Sequence, residues 1–149
     1  MINWWRKYFL RPEKAKGMYI IIIGCGELGV KLAGELSLDK HDVVVIDKRL
    51  SALRKLGSNF NGQTIRADAL DLEVLKTAGI EKADVLFLLT GNDNLNLVIG
   101  QLAKKVFKVR KVIVQVFSFS KEEVFRNKGF TIINRSNLFL DRFREALIN

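Results

Sequence analysis

The sequence predicts an α/β fold: a doubly wound, parallel, six-stranded sheet between helices, in three α/β/α layers. Three observations predict it. Six short apolar runs alternate with amphipathic segments from Met18 onward. The first run, Tyr19-Ile-Ile-Ile-Ile23, is continuously apolar, as a strand buried on both faces should be. The glycine-rich turn Gly24-Cys-Gly-Glu-Leu-Gly29 stands directly between that run and the first amphipathic segment. Strand–helix alternation of this kind implies right-handed βαβ crossovers and helices on both sheet faces, with 3-2-1-4-5-6 as the default strand order.

The elements follow in order. Tyr19–Ile23 is the first strand, and Glu27–Leu38 reads as a helix with Leu28, Leu32 and Leu36 on one face. Asp42–Asp47 is a second buried strand, followed by a short helix over 49–57 that ends at Gly57. Gln63–Ala67 is a third strand. Asp71 is placed to cap a helix over 72–78, which Gly79 stops. Asp84–Leu89 is a fourth strand. The helix over 93–107 carries Leu95, Val98, Ile99, Leu102 and Val106 on one stripe. Lys111–Val116 is a fifth strand. Ser120 and Glu123 have capping-box spacing and open a helix that runs to Gly129. Phe130–Ile133 is the sixth strand. The last helix spans 137–147, with Phe139, Phe143 and Leu147 in register; this apolar face and that of 93–107 are expected first of all in the core, any surplus favouring subunit contacts.

The chain has 149 residues, which suits a single domain over 18–149. Residues 1–17 differ: they hold both tryptophans, Trp4 and Trp5, the only proline, and five basic residues against one acid. This basic aromatic extension suits packing on its own domain or a sister subunit, or docking at an acidic membrane surface. Hydrophobic residues make up 48%, enough for a packed core. One cysteine excludes an intrachain disulfide and a cysteine-built structural zinc site, and a reducing compartment follows most simply. No apolar run approaches the roughly 20 residues of a spanning helix, and no signal peptide is evident. The net charge of +9 biases the chain toward anionic partners. The basic residues are spread out and form no helix-turn-helix or RNA-binding signature, so no nucleic acid is expected.

The chemistry concentrates at the C-terminal ends of the strands. G-x-G-x-x-G alone is weak, but a strand before it and a helix after it make it informative. Gly24 permits the tight turn, Gly26 lets the backbone approach a phosphate, and Gly29 lets helix and strand pack closely. The helix N-terminus, from Glu27 and Leu28 onward, offers free amides to an anion. Asp47 follows Gly29 by 18 residues and ends the second strand. It can accept hydrogen bonds from both ribose hydroxyls of an adenosine moiety or cap the short helix after it. In the first role it disfavours NADP, although Lys48 and Arg49 soften that exclusion. Asp68 can meet the adenine amine or cap its own turn. Thr90-Gly91-Asn92-Asp93-Asn94 follows the fourth strand, and can face a phosphate or a second sugar, or Asp93 can simply cap the next helix. His41 falls in a loop at the opposite sheet edge, and Cys25 reads as a small residue that fits the turn.

The stretch from Met18 to about Phe143 resembles the nucleotide-binding N-terminal domain of RCK proteins, the regulators of potassium conductance, which include cytoplasmic subunits of Trk and Ktr uptake systems. The matching pieces are the run through Gly24–Gly29, His41–Asp47, Ala67-Asp68-Ala69, Ala78–Asp84 and Thr90–Asn96, in the family's order and spacing. The resemblance implies a Rossmann-type fold and an adenine nucleotide: AMP, ADP or NAD(H) favoured, ATP allowed. It implies a homodimer or larger ring that docks on a multi-span potassium transporter at the inner face of the membrane and gates it. The ribose acid maps to Asp47 with Lys48 beside it, the adenine-side acid to Asp68 with Ala69, and the loop to Thr90, Gly91, Asn92 and Asn96. Glu27 stands where many relatives carry Arg or Lys, which disfavours polyphosphate. Gln115 stands where an arginine often occurs. The chain stops near residue 149, where many relatives continue, so the resemblance implies a split system with a C-terminal RCK-type domain absent or on a separate chain. No Ser-His-Asp set, metal cluster or tyrosine–lysine pair stands out, so a regulator is expected rather than an enzyme; the alternative is a minimal NAD-dependent oxidoreductase.

Overall fold

The computed structural model describes residues 17–148; the expectations for Trp4, Trp5 and the rest of the extension up to residue 16 lie outside them. The element order is β1 (Tyr19–Ile23), α1 (Glu27–Leu38), β2 (Asp42–Asp47), α2 (Leu50–Leu53) with a 3-10 turn over Arg54–Leu56, and β3 (Gln63–Arg66). Then come α3 (Leu72–Thr77), a 3-10 turn over Ile80–Lys82, β4 (Val85–Leu88), α4 (Asp93–Lys105), β5 (Lys111–Val116), α5 (Phe119–Phe125), β6 (Thr131–Asn134) and α6 (Arg135–Ile148). The six strands form one sheet in the order β3-β2-β1-β4-β5-β6, and every pairing is parallel. This is a Rossmann-type three-layer fold.

Strand alternation divides the core in two. Ile21, Ile23, Val44, Ile46, Leu86 and Leu88 face the side covered by Leu75 of α3 and by Leu97, Ile99 and Ala103 of α4. Ile20, Ile22, Val43, Val45 and Val85 face the side covered by Ala33 of α1 and by Ala52 and Leu53 of α2. Both faces of β1 are therefore sealed, as its unbroken isoleucine run requires.

Several local expectations shift. The buried line of α1 runs through Gly29 and Ala33, and Leu28 is turned out. The buried face of α4 is Asn96, Leu97, Ile99, Gly100 and Ala103, which leaves Val98 and Val106 exposed. At Gly100 α4 lies close on the sheet: a Cβ there would meet Val114 at 3.1 Å and Leu88 at 3.4 Å. The cap of α5 is Ser118, whose hydroxyl accepts from Lys121 N–H at 3.3 Å, and Ser120 lies inside the helix. Asn92, not Asp93, caps α4, accepting from Leu95 N–H at 3.1 Å. The expected core face of the last helix is absent: α6 buries no residue, and Phe139, Phe143 and Leu147 are all exposed. Asp71 does cap α3, accepting from Glu73 N–H at 2.9 Å.

Candidate functional site

The turn after β1 is built by its glycines. Gly24 has φ +106°, in the region that favours glycine, and a Cβ there would meet Thr90 N at 2.7 Å. A Cβ on Gly29 would lie 2.1 Å from the Gly24 carbonyl, so α1 can start this close to β1 only without a side chain. A Cβ on Gly26 would meet nothing within 4 Å: this glycine faces open space, at the N-cap of α1. Between them Cys25 is buried, its thiol donating to Ala52 O at 3.4 Å. Burial, then the neighbouring Asp47 charge, push its pKa up, so the thiol is a packing group and not a reactive one.

Asp47 ends β2 and is 8% exposed. Its Oδ2 accepts from the Cys25 amide and from Arg49 Nη2, both at 2.9 Å. Its Oδ1 accepts from the Arg49 amide at 2.8 Å and from Arg49 Nε at 3.0 Å. Burial alone would raise the carboxyl's pKa, but the Arg49 bonds and the Cys25 amide outweigh it and hold it at about 2. Four donors fill the four acceptor positions of a carboxylate. Two of them come from the side chain of Arg49, which is more than half exposed and can leave. Asp47 thus braces the glycine turn and holds its own loop, as well as standing at the expected ribose position.

The opposite wall is tied down by Asn96, which is fully buried. Its Oδ1 accepts from Thr90 N at 3.2 Å and from the Thr90 hydroxyl. Its Nδ2 donates to Thr90 O at 3.0 Å and to Gln115 O at 2.9 Å. Gln115 is also buried; its Nε2 donates to Thr90 O at 3.2 Å, and its Oε1 has no partner among the described residues. Asp93 accepts from the amides of Phe117 and Ser118, locking α4 to the loop after β5. Asp68 caps its own turn, accepting from Leu70 N–H at 2.9 Å, and stays exposed.

These walls enclose a cleft of about 890 Å³ at the C-terminal ends of the strands, where strand order reverses between β1 and β4. Gly24, Gly26, Glu27, Leu28, Gly29, Asp47, Lys48, Asp68, Ala69, Thr90, Gly91 and Asn92 all line it. Asn96 does not: its hydrogen bonds are spent inside the fold, and it positions Thr90 instead. The cleft also takes in Arg49, Gln115, Phe117 and Arg135, none of which the glycine motif points to. Arg135 is the farthest of them from the turn in sequence, and its place follows from β6 joining the same sheet edge. His41 lies at the other edge, half-buried, its Nδ1 accepting from Met18 N–H at 3.0 Å.

A glycine turn, a strand-end carboxylate and a cleft at the topological switch point define a Rossmann-type domain with an open crevice at its switch point. Comparison with known proteins narrows this. Residues 20–135 match the model of the TrkA-N domain, and the chain belongs to that family. It is 33% identical over 131 residues to a Trk system potassium uptake protein TrkA of Streptomyces coelicolor, covering 88% of this chain and 59% of that protein. It is 42% identical over 99 residues to a TrkA homolog of Archaeoglobus fulgidus, covering 66% of this chain and 22% of that one. The chain thus spans a part of each of these relatives. Among solved structures, the TrkA-N domain of the inner membrane protein ybaL from Escherichia coli is similar, with a TM-score of 0.78 at 17% identity over 89% of this chain and 98% of that one. GsuK bound to ADP (TM-score 0.73, 18% identity, 87% and 34% covered) and the AMP-bound Kef C-terminal domain of Shewanella denitrificans (0.70, 19%, 87% and 80%) share the fold.

Proposed function

We propose that the chain is an adenine-nucleotide-sensing regulatory module of a potassium transport system, placed at the inner face of the membrane by docking on a multi-span transporter subunit. The observation that carries this is the cleft itself, which brings the open Gly26 turn and the strand-end Asp47 to one sheet edge. The amides at the start of α1 receive a phosphate, and Asp47 receives the ribose hydroxyls once Arg49 swings away. Asp68 and Ala69 border the adenine. Thr90, Gly91 and Asn92 close the opposite side.

The Asp47 carboxylate disfavours a 2′-phosphate, and Glu27 on the turn side disfavours the full charge of ATP, so AMP, ADP or NAD(H) suit the site best. Similarly folded proteins have been solved bound to ADP, AMP and NAD, which supports an adenine nucleotide without choosing one. The TrkA relatives support potassium transport as the setting. Among the described residues no helix is long and apolar enough to cross a membrane, in keeping with a separate membrane partner. The exposed apolar residues of α6 support assembly into a homodimer or ring. A C-terminal RCK-type domain belongs to the same reading, on this or a separate chain. Ligands that bind two conformations of the assembly unequally would shift it between them. As for the oxidoreductase alternative, among the described residues that line the cleft there is no histidine, tyrosine or accessible thiol.

Thermal unfolding with AMP, ADP, ATP, NAD and NADH tests the proposal. A ligand at roughly 100 times its Kd is expected to raise the midpoint by about 5–10 °C. No shift with any of the five would overturn the reading, and steady NADH consumption with small carbonyl compounds would favour the enzyme.

A further inference from the structure

The half of the cleft beyond the glycine turn, over β4, β5 and the start of α6, is lined by Thr90, Asn92, Gln115, Phe117 and Arg135, and among the described residues no acidic side chain lines it. Arg135 is the cation of that half among the described residues. Its guanidinium lies over the Phe117 ring, 5.1 Å from the centroid, and 5.7 Å from that of Phe139. Among the described residues it has no ion pair and no hydrogen bond. Neighbouring carboxylates are committed elsewhere. Asp93 takes the amides of Phe117 and Ser118, and Glu122 takes Asn137 Nδ2 at 2.7 Å. A guanidinium carries five donors and keeps its charge, so one held half-buried between two rings without an acid is preorganised for an anion or a strong acceptor.

We propose that Arg135 is a specificity-determining residue of the cleft. It donates to the part of an adenosine ligand that lies beyond the first phosphate, so that diphosphate-bearing ligands are selected over AMP. This rests on the reading of the cleft as an adenosine site. Phe117 follows β5, two strand positions from β1, about 10 Å across the sheet. A phosphate joined directly to a ribose at Asp47 stops at the β1 turn, and only a ligand that continues past it runs toward β5. Glu27 repels added charge on the turn side, and Arg135 attracts it from across the cleft. Two ligand types share this chemistry: ADP through its terminal phosphate, and NAD through the second nucleoside carried by its pyrophosphate.

Titration calorimetry of the full chain with AMP, ADP and NAD tests it. Arg135→Gln is expected to weaken ADP, NAD or both by about tenfold or more, while AMP stays within about twofold. The ligand that loses most identifies the group Arg135 contacts, and Arg135→Lys is expected to recover part of the loss by charge alone. Equal weakening of AMP, or no change for ADP and NAD, overturns the role of Arg135. Failure of the wild-type chain to bind any of the three overturns the adenosine site, and this inference with it. Thermal unfolding of the Arg135→Gln chain, expected to match wild type, separates these results from a folding defect.

Discussion

At the residue scale, the three turn glycines look alike in sequence but differ in what they do. Gly29 is structural: a Cβ there would strike the Gly24 carbonyl. Gly29→Ala is therefore expected to cost about 1–3 kcal/mol of stability, read as a lower denaturation midpoint. Gly26 has open space before it, so Gly26→Ala is expected to change stability by less than about 1 kcal/mol. On the proposed reading the same substitution puts a methyl in the path of the phosphate, and nucleotide affinity is expected to fall. Equal stability losses for the two would contradict this division. Asp47 was legible as a strand-end acid at the right spacing. Its partner was not, because Arg49 folds back on it through a rotamer that no spacing encodes. Arg49→Gln frees two acceptor positions on Asp47, so adenosine affinity is expected to rise several-fold by calorimetry. A loss of affinity would mean that Arg49 assists binding instead. The pair also has a pH signature. The Asp47 carboxyl is lowered from 3.8 to about 2, so its stabilisation is complete above about pH 4 and is lost as pH falls toward 2. With Arg49 more than half exposed, solvent screening limits this to about 1 kcal/mol, and an acid-unfolding comparison with Arg49→Gln measures it.

At the element scale, the strands were the most legible part of the sequence. The bounds of β1, β2 and β5 are those expected from the sequence, since a continuous β-branched apolar stretch marks the middle of each. Helices were read less well. Spacing alone made Leu28 and Val98 core residues, whereas α1 turns Gly29 and Ala33 to the sheet and α4 turns Leu97, Ile99, Gly100 and Ala103. Capping signals near one another also compete: Ser120 has Glu123 at capping-box spacing and Ser118 has only Lys121 there, yet the loop after β5 brings Ser118 into place. Asn96 is an element-scale device, joining the turn after β4, the first turns of α4 and the end of β5. Asn96→Ala leaves the Thr90 amide without its acceptor and removes one of the two donors to the Thr90 carbonyl, and is expected to destabilise the fold by about 1–3 kcal/mol, with weaker nucleotide binding alongside. Wild-type stability in denaturant would show that the Thr90 turn holds itself.

At the scale of the whole molecule, the doubly wound topology decides which residues meet. Sequence order puts Gly24, Asp47, Thr90 and Arg135 far apart, and the strand order returns all four to one edge. The glycine and aspartate members were legible because their spacing follows one βαβ unit. Arg135 was not, because its place depends on β6 closing the sheet five strands later. The exposed face of α6 was misread for a related reason: an apolar stripe is the same pattern whether it meets its own core or a second copy. Amide chemical shifts of the full chain during an ADP titration test the adenosine cleft most directly. Saturable changes are expected at Gly26, Glu27 and Leu28, at Lys48 and Arg49, and at Gly91 and Asn92, with His41 and the far sheet edge unmoved. Changes confined to α6 or the β-strand N-terminal edge, or none at millimolar ADP, would contradict the account.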